Sequence, residues 1–400
     1  MVFSLGACAP ETTWQEQYDL GLRYLSEGNY EQAIIAFTAA IEIDPKQPET
    51  YLSLADAYMA QGDTESAKAV LEEGLEATDS SDIGARLEEL SAQAAVPETV
   101  PTPSPEPVPA SPESDFEFDT DTGTILDYTG PGGDVTVPAA IGGVAVRAIG
   151  EDAFYGCESL TSVTLPGGVT TIGVWAFSDC TSLTSITIPD GVTTIRNGAF
   201  SSCESLTSIT LPDSLTAIGR QAFYSCYSLT SITIPEGVTL IGSEAFAYCY
   251  SLTSITLPES VIAIGSRTFY ECYSLTSITL PDSLTAIGYM AFYECDALTS
   301  ITLPEGLIAI GDGAFSPCES LTSITLPDSV TTIGYGAFEE CESLTSITIP
   351  GSVTTIMDWA FQDCASITDV YYGGSEEQWK QISVGGYNDY LLDATIHYGA

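Results

Sequence analysis

The chain has 400 residues, of which 55 are Asp or Glu and only 9 are Lys or Arg, so its formal net charge is −46. A field of this sign repels phosphate backbones and anionic membrane surfaces, which argues against nucleic acid as a partner. No stretch approaches the ~20 apolar residues of a membrane-spanning helix, so we expect membrane contact only through a lipid anchor. The length allows two or three domains with large apolar cores.

In the first segment, residues 1–13, a short apolar run leads to Leu5-Gly6-Ala7-Cys8. This run resembles a bacterial lipobox, in which the cysteine is diacylated and becomes the first residue. A signal peptide places a basic segment and a longer apolar run before that cysteine, and only seven residues precede Cys8. Either the signal is truncated in this sequence or Cys8 is incidental. We expect lipidation of Cys8, because the polar sequence after it resembles a mature N-terminus.

Residues 14–94 contain two copies of a 34-residue helical pattern, followed at 82–94 by a cap helix with Asp82 as its N-cap. Small and aromatic residues recur at matching slots: Gly21, Tyr24, Gly28, Ala33, Phe37, Ala40 and Pro45 in the first copy, and Ala55, Tyr58, Gly62, Ala67, Leu71 and Gly74 in the second. The small residues let paired helices approach closely. The pattern resembles the tetratricopeptide repeat family, which implies a peptide or protein partner on the concave face. A spacer or dimerisation module is the alternative.

A proline-rich segment covers residues 95–114. It holds seven prolines: Pro97, Pro101, Pro103, Pro105, Pro107, Pro109 and Pro112. Such a segment packs no core and adopts extended polyproline-like conformations, which could span roughly 60 Å at ~3.1 Å per residue. We interpret it as a stiff linker, with a proline-motif ligand as the weaker alternative.

The remaining sequence repeats every 23 residues. Ten cysteines keep this interval: Cys157, Cys180, Cys203, Cys226, Cys249, Cys272, Cys295, Cys318, Cys341 and Cys364. A phenylalanine stands three residues before each cysteine, from Phe154 to Phe361. A fixed period of this length indicates a solenoid, because each unit buries its apolar face only by stacking on its neighbours.

One unit, starting at Ser205, shows how a coil is built. Ile209 and Leu211 are expected to point inward and Ser208 and Thr210 outward, by the period-two alternation of a strand. Pro212 ends the strand, since it has no amide hydrogen to donate.

The second half of the same unit holds another apolar pair. Leu215 and Ile218 are expected to point inward, and Gly219 to relieve a tight bend. Ala222 and Phe223 are expected to begin a short helical turn whose ring fills the core.

The unit, with Leu206, Ile209 and Leu211 at LxxLxL spacing, resembles the leucine-rich repeats of BspA-like bacterial surface proteins. We therefore predict an α+β multidomain chain: the tetratricopeptide pair, then a parallel-β solenoid with its lead-in at 115–372, and a C-terminal cap at 373–400. The resemblance implies an extracellular, surface-displayed protein used in adhesion.

Three repeated columns have structural explanations that we prefer to functional ones. The cysteines fit a ladder of buried free thiols better than disulfides or zinc ligands, because stacked equivalents point the same way and no CxxC pair exists. The Ser-x-Thr columns from Ser162 to Thr348 fit a solvated strand face better than an ice-ordering array.

An acidic column follows the strand-ending prolines: Asp190, Asp213, Glu236, Glu259, Asp282, Glu305 and Asp328. Turn preference explains it better than calcium sites do. We predict no metal site and no cofactor.

Tyrosines break the repetition in the middle coils, on the turn around the phenylalanine and before the next strand: Tyr224, Tyr227, Tyr248, Tyr250, Tyr270, Tyr273, Tyr289 and Tyr293. Aromatic rings with a polar tip dominate binding hot spots. We expect Tyr227, Tyr250 and Tyr273 to stack as a strip near Glu271 and Glu294. The eight tyrosines are our candidate ligand-binding residues, for sugar rings or a protein. The alternative is that they are by-products of recently duplicated repeats.

No catalytic residue can be singled out. The sole histidine, His397, is expected to be structural, and no nucleophile, phosphate-loop or metal motif is present. We therefore expect a non-enzymatic surface protein whose solenoid contacts a protein or glycan on a host, matrix or bacterial surface. The alternative is a scaffold in which the tetratricopeptide module binds a partner and the solenoid displays or spaces it.

Overall fold

A computed structural model of the chain describes residues 13–26, 30–61, 64–78, 80, 83–84, 86–87 and 110–399. Cys8, the linker up to residue 109 and most of the cap helix expected at 82–94 lie outside the described residues. Contacts divide the chain into two compact units, Met1–Pro107 and Val108–Ala400. Within the described part, no helix is both long and apolar enough to cross a membrane.

The first unit consists of two antiparallel helix pairs, α1 (Trp14–Ser26) with α2 (Tyr30–Ile43) and α3 (Pro48–Gln61) with α4 (Thr64–Thr78). The predicted close approach at small residues is confirmed. A Cβ added to Gly21 would lie 2.5 Å from the Phe37 ring, and one added to Gly74 would lie 2.5 Å from the Tyr51 ring. Residues 83–84 and 86–87 are also helical.

The second unit is a solenoid in which most coils contribute one longer and one shorter strand. The longer strands are β3 (Gly133–Thr136), β7 (Leu160–Thr164), β9 (Ser185–Thr187), β11 (Ser208–Thr210), β14 (Ser254–Thr256), β16 (Ser277–Thr279), β19 (Ser323–Thr325), β21 (Ser346–Ile349), β23 (Asp369–Tyr372) and β25 (Thr395–Tyr398). The shorter strands are β6 (Ala148–Ile149), β8 (Thr171–Ile172), β10 (Thr194–Ile195), β12 (Ala217–Ile218), β13 (Leu240–Ile241), β15 (Ala263–Ile264), β17 (Ala286–Ile287), β18 (Ala309–Ile310), β20 (Thr332–Ile333), β22 (Thr355–Ile356) and β24 (Ser383–Val384).

Strands of the same kind pair in parallel, each with its equivalent one coil away. Ser208 pairs with Ser185 and Ile209 with Ile186, a shift of one 23-residue unit. The same register recurs in the shorter strands, where Ile218 lies opposite Ile195. The predicted parallel-β solenoid with 23-residue units is therefore confirmed.

The core lies between the two strand columns and is filled by repeated apolar side chains. The phenylalanine rings from Phe154 to Phe361 are fully buried and stack on one another with centroids 4.8 to 5.7 Å apart. As predicted, Leu215 and Ile218 are buried, and Ile209 points inward between the exposed Ser208 and Thr210. Leu211 is only partly buried against this core.

The segment around each phenylalanine is not the helical turn that we expected. The Phe223 amide donates to the Ala245 carbonyl of the next coil at 2.8 Å, and the Ser225 amide donates to Ala247 at 2.9 Å. Gln221 and Ser225 both have φ of 57°, in the left-handed region. Every second amide in this segment therefore bonds to the next coil, whereas the amides between them, such as that of Tyr224, bond three residues back within the same coil.

The expectation for Gly219 also needs correction. It does not have a positive φ, and a Cβ there would lie 2.7 Å from the Arg196 carbonyl carbon and the Asn197 amide nitrogen. The glycine allows close backbone contact between adjacent coils.

The two ends of the solenoid depart from the repeat. The lead-in has a 3₁₀ turn (Glu113–Asp115), an antiparallel pair β1 (Phe116–Asp119) and β2 (Thr124–Tyr128), and a hairpin of β4 (Ala140–Ile141) and β5 (Val144–Ala145).

The C-terminal stretch contains α5 (Glu376–Trp379) and α6 (Asp389–Asp393), and its strands β24 and β25 extend both sheets in parallel. It forms a further, longer coil. The buried Asn388 ties this coil to the one before it, since its amide nitrogen donates to Met357 and its amide oxygen accepts from the Phe361 amide.

Candidate functional site

The eight candidate tyrosines lie on the outside of the phenylalanine ladder. Tyr224, Tyr270 and Tyr293 directly follow a buried phenylalanine, whereas Tyr248 stands two residues after Phe246. Tyr227, Tyr250 and Tyr273 directly follow a buried cysteine, and Tyr289 follows Gly288. Seven of these side chains are half-buried and Tyr289 is exposed. The ladder beneath them holds their backbone at the coil spacing.

The predicted strip of stacked rings is present. The Tyr227 and Tyr250 centroids are 4.9 Å apart with an interplanar angle of 6°, and the Tyr250 and Tyr273 centroids are 5.0 Å apart at 23°. This separation is close to the spacing of hydrogen-bonded strands. The three rings therefore stack because their slots recur once per coil.

Tyr248 joins this strip to the other tyrosines, which the sequence did not indicate. Its ring makes edge-to-face contacts with Tyr224 at 5.1 Å, Tyr250 at 6.2 Å and Tyr270 at 5.4 Å. Its φ of 63° places it in the left-handed region. Such a backbone costs a non-glycine residue about 1–2 kcal/mol, which the surrounding coil offsets.

The remaining members join through Tyr270. The Tyr293 ring stacks on Tyr270 at 4.8 Å, and the Arg267 guanidinium lies over Tyr270 at 5.6 Å and over Tyr289 at 5.3 Å. All eight side chains are thus connected in one surface, which we call the tyrosine cluster.

Carboxylates border the tyrosine cluster, as predicted for Glu271 and Glu294. The Tyr273 hydroxyl lies 2.6 Å from Glu271 Oε2 and 3.0 Å from Glu294 Oε2. Burial, and then these hydrogen bonds, raise the pKa of Tyr273 well above its usual value. Burial and the nearby Glu271 carboxylate raise the pKa of Tyr270 to about 12. These hydroxyls stay protonated at neutral pH and can donate hydrogen bonds.

Asp296 is a member of this site that the sequence interpretation missed. It occupies the slot of Tyr273 one coil further on. Among the described residues its buried Oδ1 atom has no hydrogen-bond partner. Burial, and then the charges of Glu319, Glu294 and Glu271, raise the pKa of its carboxyl. The sequence does contain a sign of this site, because the slot that holds Tyr in three coils changes to Asp at position 296.

Two smaller aromatic surfaces were also missed. Near the C-terminal end the Trp359 ring lies 5.1 Å from Tyr335 and 6.0 Å from Tyr387, and all three are exposed. Near the N-terminal end Tyr155 and Trp175 line an open depression of about 330 Å³. The surface around Trp359 combines residues from three coils, and these residues do not recur in one slot of the repeat, so the repeat pattern does not reveal it.

The geometry of the cysteine column indicates a structural role. The cysteines from Cys157 to Cys364 carry free thiols, and all but Cys157 are buried. Each buried thiol donates to a phenylalanine carbonyl of the preceding coil, as Cys272 does to Phe246 at 3.3 Å. Burial raises the pKa of Cys157 to about 11 and that of Cys272 to about 12. Protonated thiols of this kind act as small packing groups.

The other repeated columns remain open to solvent. Ser208 and Thr210 are exposed on β11, and a shallow depression of about 710 Å³ runs over the Ser-x-Thr face from Ser162 to Thr210. All seven carboxylates that follow the prolines are exposed. Within the described ranges, no three His, Cys, Asp or Glu side chains are grouped to hold a metal ion.

His397 lies in the last coil. Its Nε2 atom is 2.7 Å from Asp369 Oδ1 and its ring stacks on Tyr371. These contacts tie β25 to β23.

Comparison with known proteins matches both units. The model of the BspA-type leucine-rich repeat region, in six copies, matches residues 147–272 and 239–368, and a tetratricopeptide repeat model matches residues 24–90. A solved leucine-rich repeat protein from Bacteroides ovatus is 32% identical, with 71% of this chain and 76% of that chain covered and a TM-score of 0.59.

Two further solved structures are similar. The leucine-rich repeat protein of T. pallidum is 38% identical over 47% of this chain and 90% of its own, with a TM-score of 0.45. A leucine-rich cell surface protein of Faecalibacterium prausnitzii is 31% identical over 67% of this chain and 95% of its own, with a TM-score of 0.39. None of the curated proteins compared with the chain matches it.

Proposed function

Because the chain belongs to the BspA-type leucine-rich repeat family, we propose that it is a non-enzymatic binding protein of the bacterial cell surface whose contact surface is the tyrosine cluster. One observation carries this proposal: eight partly exposed tyrosines from four adjacent coils form one connected surface. Tyrosine supplies a large contact area at a low cost in conformational entropy and is enriched in binding hot spots.

The core supports this role because it holds the rings in place before a ligand arrives. The stacked phenylalanines and coil-to-coil hydrogen bonds fix the backbone beneath every tyrosine. A surface ordered in advance loses little conformational entropy on binding. The repetition also arrays weak contacts, so that several can be made at once and raise avidity.

The test is the triple variant Tyr227→Ser, Tyr250→Ser and Tyr273→Ser in the full chain. We expect it to keep its circular dichroism spectrum and to lose most of its capture of ligands on glycan and matrix-protein arrays. The matched control changes three exposed aromatic residues elsewhere, Tyr155→Ser, Tyr335→Ser and Tyr387→Ser. Capture that survives in the triple variant, or that falls equally in the control, would refute the role of the cluster.

We also propose that the segments act in chain order. In this arrangement Cys8 carries the lipid anchor, 14–94 is the tetratricopeptide module, 95–114 the linker, 115–372 the binding solenoid and 373–400 its cap. Metabolic labelling with an alkyne fatty acid tests the anchor, because Cys8→Ser should abolish the label.

A scaffold role is the second candidate, supported by the match of residues 24–90 to the tetratricopeptide repeat family, whose repeats bind proteins or peptides. Deleting residues 14–94 separates the two roles. Ligand capture that survives this deletion supports binding through the solenoid, whereas its loss supports the scaffold.

A further inference from the structure

The slot that carries the stacked tyrosines changes character along the solenoid. Directly after the buried cysteine stand Tyr227, Tyr250 and Tyr273, and the next three coils place Asp296, Glu319 and Glu342 there. The slot recurs once per 23-residue coil, so its six backbone positions follow one another along the solenoid, and the three rings in it have centroids 4.9 and 5.0 Å apart. We call the last three the acidic slots. One row thus passes from aromatic to acidic without a break.

The coils that carry this row are short of positive charge. Between residues 221 and 379 the sequence has nineteen acidic residues and one basic residue, Arg267. The Arg267 guanidinium lies over the rings of Tyr270 and Tyr289. The tyrosine cluster therefore already holds one guanidinium on its ring faces, the geometry of a cation–π contact.

Where the row changes from tyrosines to acidic slots, the neighbouring carboxylates have acceptor positions that no hydrogen bond fills. The Tyr273 hydroxyl lies within hydrogen-bonding distance of both Glu271 and Glu294, and its single hydrogen can serve only one of them at a time. The buried Oδ1 of Asp296 accepts no hydrogen bond within the described part of the chain. Donors from outside the protein can reach the half-buried Glu271 and Glu294 carboxylates, whereas the Asp296 Oδ1 atom is buried out of their reach.

We propose that the tyrosine cluster and the acidic slots together bind a basic segment of a partner protein, with Arg or Lys side chains resting on the rings and donating to the carboxylates. This inference rests on the proposed function and adds the chemical class of the ligand. A guanidinium satisfies both halves of the row, because its flat face stacks on aromatic rings and its edge donates to carboxylates. A neutral glycan stacks on the tyrosines but leaves the acidic slots uncompensated.

The probe is a peptide of about eight alternating Arg and Ser residues, long enough in extended form to cover the row. Its comparison peptide has Gln in place of each Arg. Both are titrated against the full chain by isothermal calorimetry at about 50 mM and about 300 mM NaCl, which differ in Debye length. The Arg peptide should bind, the Gln peptide should bind at least about tenfold more weakly, and the higher salt should weaken the Arg peptide.

Two variants with the same change in net charge locate the binding. In the first, the acidic slots are neutralised as Asp296→Asn, Glu319→Gln and Glu342→Gln, and we expect about tenfold weaker binding of the Arg peptide. In the control, three exposed carboxylates of the proline turns are neutralised as Asp190→Asn, Asp213→Asn and Glu236→Gln, and binding should stay within about twofold of the unchanged chain.

The outcomes separate this inference from the proposed function. Equal weakening in both variants means attraction to net charge alone and overturns the inference. Failure of the Arg peptide to bind, while Tyr227→Ser, Tyr250→Ser and Tyr273→Ser still abolish capture of a neutral glycan, overturns the basic ligand but keeps the tyrosine surface. Capture of every ligand that stays unchanged in the variant Tyr227→Ser, Tyr250→Ser and Tyr273→Ser overturns the proposed function itself.

Discussion

The phenylalanine ladder gives a quantitative prediction for the variant Phe246→Ala. The side chain is fully buried, and its ring stacks between Phe223 at 5.4 Å and Phe269 at 5.6 Å. Truncating a buried Phe to Ala costs about 3–5 kcal/mol, because apolar burial is lost and a cavity remains. Hydrogen bonds between coils, such as the one from the Phe246 amide to Thr268, oppose collapse of that cavity. We therefore expect a loss of about 4 kcal/mol.

The end of the ladder provides an internal comparison. Among the described residues Phe361 has one stacked ring neighbour, Phe338 at 5.4 Å, although it is just as buried. A stacked pair contributes about 0.5–1.5 kcal/mol beyond burial. Phe361→Ala should therefore cost about 1 kcal/mol less than Phe246→Ala.

Hydrogen exchange followed by mass spectrometry measures both effects coil by coil. In a solenoid each coil contacts only its neighbours, so the loss of protection should centre on the substituted coil and spare distant ones. A loss of about 4 kcal/mol corresponds to nearly a thousandfold faster exchange, since every 1.4 kcal/mol is tenfold. A cost below about 1 kcal/mol for Phe246→Ala, or a larger cost for Phe361→Ala, would refute the view that stacked rings hold the coils together.

Three further predictions concern Asp296, Glu340 and Cys157. Because burial and neighbouring carboxylates raise the pKa of Asp296, its ionised form destabilises the fold at neutral pH. Asp296→Asn should raise the thermal midpoint at about pH 7 and leave it unchanged at about pH 3, where the Asp296 carboxyl is protonated in both the folded and the unfolded chain. An equal rise of the midpoint at the two pH values would contradict this. Glu340 is exposed at a φ of 59°, so Glu340→Gly should stabilise by roughly 0.5 kcal/mol and Glu340→Val should destabilise by about 1–2 kcal/mol in thermal unfolding. In a Cys8→Ser background, iodoacetamide at about pH 8 should label half-buried Cys157 before any buried cysteine, since the thiolate is the reactive form; earlier labelling of Cys272 would show that the coils open.

The repeated parts of the fold were predictable because they depend on the period alone. An interval of 23 residues assigns each residue its neighbour one coil away, which is why the stack of Tyr227, Tyr250 and Tyr273 could be expected. The alternation around Ile209 likewise follows from strand geometry. The backbone between Gly219 and Cys226 was predicted wrongly, because every second amide there bonds to the next coil and the local sequence does not indicate these bonds.

For the site, the sequence predicted which residues stack within one repeated slot, but not which residues of different slots come into contact. The sequence shows that Tyr248 and Tyr250 are near in the chain, but only the left-handed backbone at Tyr248 turns its ring toward Tyr224 and Tyr270. The unpartnered Asp296 oxygen is likewise a property of its surroundings. The contact of Trp359 with Tyr387 required the C-terminal coil, which breaks the period.

The sequence by itself determined the solenoid, its 23-residue register and the residues that share each slot, because stacking identical units leaves one way to bury the apolar positions. Only the tertiary structure decided which slots meet side by side. That depends on the turning of the chain between the phenylalanine and the cysteine, where left-handed residues such as Tyr248 and Glu271 are held by hydrogen bonds to the next coil. Those bonds join residues far apart in sequence, so the tyrosine cluster with its acidic border emerges only when the coils are assembled.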